Sequence, residues 1–334
     1  MTKVQQLADS QPAISFVIPV RNDARRLAGC LESIAANDYP RDRVEVIVVN
    51  NGSTDGSDVV ARQARATVLT ITGVHVGELR NRGAAAASGE ILAFVDADHE
   101  IDAGWVRHGV DGFGDAGIGA VGALCEAPPN GTWVQKIYDT LRARTPGRYE
   151  VSWLGSGNLA VRAEAFRQVG GFDATLQTCE DVDLCRRLIG AGYRIINDDR
   201  LRNVHLGDPA TLGALFASEL WRGRDSLRTS LRGPISWRGL PSVAIPIIDV
   251  AGLAFAIAGV LTAPLGGLLL TAAALIGIGA CASLRAARML AARRALGAGS
   301  AVQSLAVALV YDVARAVALV MPASHRTRQA ASAQ

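Results

Sequence analysis

Ile91-Leu92-Ala93-Phe94-Val95-Asp96-Ala97-Asp98 is the stretch on which the fold turns. Five consecutive apolar residues are too few for a buried helix and fit a strand covered on both faces. Straight after them come two carboxylates at i and i+2. Three similar runs precede this one: Ile14–Val20 (ISFVIPV), Val44–Val49 (VEVIVV) and Val68–Ile71 (VLTI). Between the runs lie Arg25–Ala36, with Leu27, Leu31 and Ile34 at helical spacing, then Ser57–Arg65, then the alanine-rich Gly77–Ser88. Strands alternating with helices imply right-handed crossovers, hence an α/β class with a mostly parallel, twisted, Rossmann-like sheet flanked by helices. Polar clusters follow the strands: Arg21-Asn22-Asp23, Asn50-Asn51-Gly52 and Asp96–Asp98. Open sheets of this class bind ligands beyond the carboxyl ends of their strands, so the three clusters are expected to share one site.

Downstream, residues 120–206 are less regular. Ala127–Arg148, with its prolines and glycines, reads as a disordered or mobile stretch. Gly155-Ser156-Gly157-Asn158 leads into a strand at Leu159–Val161. A helix, the turn Gly170-Gly171-Phe172-Asp173 and the acidic Glu180-Asp181-Val182-Asp183 follow, and Ser218–Leu231 reads as one basic helix.

The composition divides along the chain. Of 334 residues, 49% are hydrophobic, but residues 1–235 hold nearly all the acids while 240–284 is almost uncharged. Val243–Val260 and Pro264–Leu284 are each apolar enough to span a bilayer core, with Asp249 their one charge, and the short turn between them makes a hairpin. Arg222, Arg224, Arg228, Arg232 and Arg238 precede the hairpin, and Arg285, Arg288, Arg293 and Arg294 follow it. Basic flanks at both ends place those ends in the cytoplasm by the positive-inside rule. A third hydrophobic segment, 300–322, carries Asp312 and Arg315 one turn apart. It reads as a span with a paired charge or as an interfacial helix, and His325, Arg326 and Arg328 beyond it favour the interfacial reading. The expected organisation is a catalytic domain at 1–235, a transmembrane hairpin at 240–284, the third helix at 300–322 and a polar tail at 323–334.

Basic residues are nearly all arginine, lysine occurring only as Lys3 and Lys136, at a net charge of +3. Arginine suits bidentate phosphate contacts. The arginines do not interleave with aromatics and are balanced by acids up to residue 200, which argues against a nucleic-acid partner. Five cysteines (Cys30, Cys125, Cys179, Cys185, Cys281) form no CxxC pair and read as free thiols of a reducing compartment. The opening MTKVQQLADSQP lacks the apolar core of a signal peptide, so the catalytic part is expected on the cytoplasmic side of an inner, cytoplasmic membrane.

Chemistry is carried by three groups. Asp96 and Asp98, projected into a crevice beside a nucleotide diphosphate, suit a hard divalent cation such as Mg2+ or Mn2+, which would neutralise charge on a departing diphosphate. Asp181, at a helix start, is the candidate general base and Glu180 its support, whereas Asp183 is expected to face away. His205, after a short run Asn203-Val204, reads as a structural residue or as a third metal ligand. Arg222 and Arg224 suit either a diphosphate or anionic lipid headgroups. Trp221 and Trp237 fit an interfacial belt.

Taken in order, these stretches resemble the family 2 inverting glycosyltransferases of GT-A fold over about residues 13–230. The resemblance rests on Ile18-Pro19-Val20-Arg21-Asn22, Val49-Asn50-Asn51-Gly52-Ser53-Thr54-Asp55-Gly56-Ser57, Arg80-Asn81-Arg82-Gly83 and Ile91–Asp98. It continues through Gly157-Asn158-Leu159-Ala160, Gly170-Gly171-Phe172-Asp173 and Glu180-Asp181-Val182-Asp183-Leu184. It implies a nucleotide-sugar donor (UDP-, GDP- or dTDP-linked) whose base and ribose lie at Pro19, Arg21 and Asn51, and Asn22, Ser53, Asn81, Asp96, Asn158, Arg222 and Arg224 are the further candidate donor-binding residues. It further implies metal ligation by Asp96, Asp98 and His205, and catalysis by Asp181 with Glu180. The family's usual base-contacting acid is an amide here, Asn51. The glutamine-arginine-tryptophan motif of polymerising members is absent, and Glu219-Leu220-Trp221-Arg222-Gly223-Arg224 resembles it only faintly. A single-sugar transfer to a lipid-linked or glycan acceptor is therefore expected, at a membrane surface with lipid as a further partner. A sugar nucleotidyltransferase would need a glycine- and arginine-rich loop ending in lysine, which Ser15–Asn22 lacks. A non-catalytic scaffold would have no need of the intact acidic pairs.

Overall fold

The computed structural model describes residues 11–142, 145–231, 240–262, 265–293 and 298–321. The lead-in 1–10, Arg232, Trp237, Arg238, Arg294, His325, Arg326, Arg328 and the tail 323–334 lie outside the described residues. Packing separates two compact units, Met1–Pro128 with Arg144–Asp208, and Pro129–Ala143 with Pro209–Gln334. Residues 129–143 and 209–231 thus group with the apolar helices, although the sequence suggested a division near 235.

The first unit is an α/β layer structure. Its strands are β1 (Ile14–Val20), β2 (Val44–Asn50), β3 (Thr67–Thr70), β4 (Ile91–Val95), β5 (His99–Ile101), β6 (Ile118–Gly122), β7 (Arg148–Val151), β8 (Asn158–Arg162), β9 (Arg194–Asp198) and β10 (Asn203–His205). Its helices are α1 (Ala24–Ala35), α2 (Ser57–Gln63), α3 (Val76–Ala86), α4 (Trp105–Asp111), α6 (Ala163–Gln168) and α7 (Glu180–Gly190), while α5 (Trp133–Tyr138) belongs to the second unit. The main sheet runs β3-β2-β1-β4-β8-β6-β9-β7. Strands β3, β2, β1 and β4 are mutually parallel; β8 reverses against β4 and β6, and β7 against β9. Every residue of β1 and β4 is buried, as their unbroken apolar runs demand. Helix α1 buries Leu27, Cys30, Leu31 and Ile34, one face of a regular amphipathic helix. Helix α3 lies tight on the sheet at Gly83, where a Cβ would collide with Val17 and Val49.

Two consequences of this topology build the site. The ends of β1, β2 and β4 share one edge of the sheet. Antiparallel β8 begins at that same edge, with Asn158 opposite Val95, so the loop 155–157 arrives there too. A two-stranded ribbon, β5 with β10, sets His205 opposite His99.

The second unit is helical: α5, α8 (Leu212–Arg222), α9 (Ser226–Leu231), α10 (Leu240–Leu261), α11 (Leu265–Arg293) and α12 (Ala298–Val320). Here the sequence reading needs three corrections. Residues 127–148 are not a featureless mobile connection, because α5 forms within them, started by a capping box between Thr132 and Gln135. Its Val134, Ile137 and Tyr138 bury against Leu215, Ala286 and Val307, partners that no local window contains. The expected single helix 218–231 is two helices, broken at Gly223, which caps α8. Asp312 and Arg315 do not pair with each other. Asp312 accepts from Arg285 at 2.8 Å, and Arg315 donates to Glu219 at 2.7 Å.

Helices α10, α11 and α12 are each long and apolar enough to cross a membrane. The α12 window is 39% buried, against 11% and 17% in the hairpin, because α12 shares a core cluster with residues of α5 and α8.

Candidate active site

The first two loops are stitched together. Asn22, at φ +52°, donates its N–H to Ser53 Oγ at 3.0 Å, and Asn22 Oδ1 accepts from the Thr54 N–H at 2.8 Å. Pro19 is buried in β1, Arg21 is exposed just beyond it, and Asn51 is half-buried past the end of β2. These residues line the edge where a nucleotide is expected. Asn81 plays a different part. It exchanges two hydrogen bonds with the Phe172 backbone, at 2.9 and 2.8 Å, and so anchors the Gly170–Asp173 turn. Asn158 departs from its expected role as a donor-binding residue. It is fully buried, accepts from Trp105 Nε1 at 2.6 Å, and donates to the carbonyls of Ala123 and Leu201. With its amide fully used, Asn158 ties β8 to its neighbours.

Arg80, which the sequence reading placed only within a motif, is central. Its buried guanidinium donates to Asp96 Oδ1 and to Glu180 Oε1, both at 2.6 Å. One cation thereby joins the end of β4 to the start of α7. The loop 155–157 adds a second connection. Ser156 contributes a backbone N–H bond to Asp181 and lies 3.5 Å from Glu180 through its hydroxyl. A Cβ on Gly157 would run into the His99 ring and approach Asp96.

Asp181 is half-buried at the first turn of α7, accepting from the Val182 N–H at 2.8 Å. Burial and the Glu180 charge raise its carboxyl to about 7, against opposing help to the anion from Val182, Arg80 and Ser156. Asp183 instead pairs along the helix with Arg187 at 2.8 Å.

The candidate metal ligands assemble differently from the expected Asp96, Asp98 and His205. Asp98 and His205 do meet, Nε2 to Oδ2 at 3.2 Å, but the third member is His99, whose Nε2 lies 3.7 Å from Asp98 Oδ1. The ligand atoms of these three all fall within 4.8 Å of one another. Asp96 is drawn off to Arg80. Behind His205, the buried Asp208 holds Nδ1 at 2.8 Å, leaving Nε2 to face Asp98. Burial opposes charge on His205, yet Asp208 and Asp98 outweigh it and raise the imidazole to about 9. Burial would likewise raise Asp98, but hydrogen bonding and charge from His205 hold it well below the usual carboxylate range. Two nitrogens and a carboxylate, with one imidazole oriented from behind, form a donor set that fits a divalent cation.

The sequence did signal Arg80: Gly77, Arg80 and Gly83 recur every three residues along the buried side of α3. His99 adjoins Asp98 and Asp208 lies three residues after His205, but nothing in the local sequence shows that the β5–β10 ribbon brings the two pairs together. Arg222 and Arg224 belong to the second unit, where the Arg222 guanidinium donates to the Tyr138 hydroxyl at 2.6 Å and to Glu219 at 3.2 Å.

Residues 15–167 match the sequence profile of Glycosyl transferase family 2. The chain is similar to glycosyltransferase AglE of Haloferax volcanii, 29% identical over 252 residues, 72% of this chain and 82% of that one. It is also similar to the pre-mycofactocin glycosyltransferase of Mycobacterium tuberculosis, 32% identical over 195 residues, 54% of this chain and 40% of that protein. Among solved structures, mannosyltransferase PcManGT from Pyrobaculum calidifontis, in complex with GDP-Man and Mn2+, shares the fold with a TM-score of 0.57. It is 19% identical, over 94% of this chain and 92% of that chain. Fold and motifs together define a glycosyltransferase. Residues 15–167 carry the family 2 profile, on a fold shared with that mannosyltransferase.

Proposed function

We propose that this enzyme transfers one sugar, with inversion at the anomeric carbon, from a UDP-, GDP- or dTDP-sugar to a lipid-linked or glycan acceptor at the cytoplasmic face of a membrane. The observation that carries this reading is the bridge from Asp96 through Arg80 to Glu180, beside a carboxyl at Asp181 raised to about 7. A base of that strength accepts a proton near neutral pH.

The nucleotide lies against the loops after β1 and β2, with Arg21, Asn51 and the stitched Asn22–Ser53 pair around it. Asp98, His99 and His205 would hold a divalent cation, Mg2+ or Mn2+, which supplies positive charge for the leaving diphosphate. The solved relative from Pyrobaculum calidifontis, a complex with GDP-Man and Mn2+, supports that choice of partner. Asp181 takes the proton of the acceptor hydroxyl as its oxygen bonds to the anomeric carbon. The bond from that carbon to the diphosphate oxygen breaks on the opposite face, and the nucleoside diphosphate leaves with the electron pair. Arg80 keeps Glu180 ionically occupied, so Asp181 is left to collect the proton. The apolar hairpin holds the enzyme at the bilayer, with Arg285 and Arg288 on the cytoplasmic side.

The test is transfer by full-length enzyme in membranes from labelled donors, with product configuration read by proton NMR. An inverted anomer is expected, and Asp181→Asn should lose about 100-fold or more of kcat while still binding nucleotide. A retained anomer, or full activity in Asp181→Asn, would overturn the mechanism.

A further inference from the structure

We propose that the acceptor of this enzyme ends in a sugar ring, and that Trp153 is the platform on which that ring stacks while one of its hydroxyls reaches Asp181. The inference rests on the transfer reading above and adds the chemical class of the acceptor's reactive end and a residue that selects it.

The loop between β7 and β8 supplies the geometry. Leu154 anchors it, with a side chain buried in the same core cluster as Leu159 and Leu184 and a carbonyl that accepts from the Cys185 thiol at 3.8 Å. The next two residues meet the base. Asp181 Oδ2 lies 3.7 Å from where a Cβ on Gly155 would stand, and the Ser156 N–H bonds the same carboxylate. Trp153, the residue before the anchor, is 46% exposed. Among the described residues its indole N–H has no hydrogen-bond partner and its ring no aromatic or cationic neighbour. Trp105, the other tryptophan of the first unit, is fully buried with its N–H bonded to Asn158 at 2.6 Å. Two residues of chain keep Trp153 within about 7 Å of Gly155, a gap that a hexose bridges. An exposed indole thus flanks the approach to Asp181, on a loop that its neighbour holds in place.

Charge then decides which acceptor fits. Asp96, Glu180 and Asp181 stand around one guanidinium, that of Arg80, which is bonded to the first two at 2.6 Å. A phosphate monoester is an anion at neutral pH, its second pKa being about 6. This acidic end of the cleft would repel it, and its attacking oxygen is already ionised, so a general base has nothing to remove. A sugar hydroxyl is neutral and keeps its proton, so it needs a base, and the Asp181 carboxyl, raised to about 7, meets that need. A sugar ring also presents a face of C–H bonds, which an indole covers, and oxygens that the indole N–H can meet.

The experiment measures transfer by full-length enzyme in membranes from labelled UDP-, GDP- and dTDP-sugars to two kinds of acceptor. One is a set of octyl glycosides of glucose, galactose, mannose and N-acetylglucosamine; the other is phytanyl phosphate. Product is expected on a glycoside and none on the phosphate. Trp153→Ala should raise KM for that glycoside about tenfold or more, with KM for the donor unchanged. Trp153→Phe, which keeps a flat ring, should bring the glycoside KM back to within about threefold of wild type. A residue that only shaped the loop would instead lower kcat in both variants and leave the glycoside KM alone, and that result would overturn the platform. Transfer to phytanyl phosphate alone would overturn the acceptor class and leave sugar transfer standing. A retained anomer in the glycoside product would overturn the mechanism proposed above but not the role of Trp153. No transfer to either kind of acceptor from any donor would overturn both.

Discussion

Asp181 has a carboxyl that burial and the adjacent Glu180 push up to about 7, while Val182, Arg80 and Ser156 favour its anion. Since the base must be ionised to accept a proton, kcat/KM should be flat at alkaline pH and fall about tenfold per pH unit below about 7. The linkage has a definite sign. The folded-state value lies above that of an unfolded aspartate, so the native protein holds this proton more tightly and loses stability as pH rises between the two values. Asp181→Asn removes that cost. Its melting temperature should match wild type near pH 4 and exceed it at pH 8, although its transfer is about 100-fold or more slower. A variant less stable than wild type at pH 8 would show that Asp181 is instead a structural ion-pair member. The acidic cluster itself was visible in the sequence, as was its place at a helix start. The environment that tunes it was not, because Arg80 and Ser156 reach it from α3 and from the loop before β8, both far outside any local window.

At the scale of elements, α3 is held to the sheet through Gly83 and carries Arg80 one turn earlier on the same buried face. Gly83→Ala would drive a methyl into Val17 and Val49, so helix or strand must shift. Overpacking of this kind costs about 1–3 kcal/mol, read as a lower denaturation midpoint at unchanged m-value. Because Arg80 moves with the helix, kcat should fall more than donor affinity. A Gly83→Ala protein with wild-type stability would mean that α3 does not press on β1 and β2. Elements of this first unit were largely legible. The runs 14–20 and 91–95 are contiguous, apolar and closed by polar loops, and their strands begin and end at those residues. Helix α5 was hidden for the opposite reason. Its apolar face is only Val134, Ile137 and Tyr138, and becomes a core only beside Leu215 and Val307. The break in the basic helix depends in the same way on Gly223, whose close neighbours Ala318 and Arg315 lie far along the chain.

For the molecule as a whole, the question is which solvent each part is built for. The first unit hides its apolar side chains in two clusters on the faces of one sheet. The hairpin does the reverse, leaving Leu261 80% and Ile276 71% exposed. Exposed apolar surface on that scale is stable only when lipid or protein covers it. Helix α10, with 22 residues, is about 33 Å long, enough for a hydrocarbon core of about 30 Å. The carboxylates inside the apolar helices are buried rather than lipid-facing: Asp312 against Arg285, and Asp249 at 0% exposure. The arginines around the hairpin would attract anionic headgroups, but that attraction is screened by salt, whereas apolar insertion is not. The enzyme should therefore stay in the membrane pellet through washes in about 1 M salt, at which the screening length falls to about 3 Å, and leave it only with detergent. Release by salt alone would mean that the arginines, rather than the apolar helices, hold the enzyme to lipid.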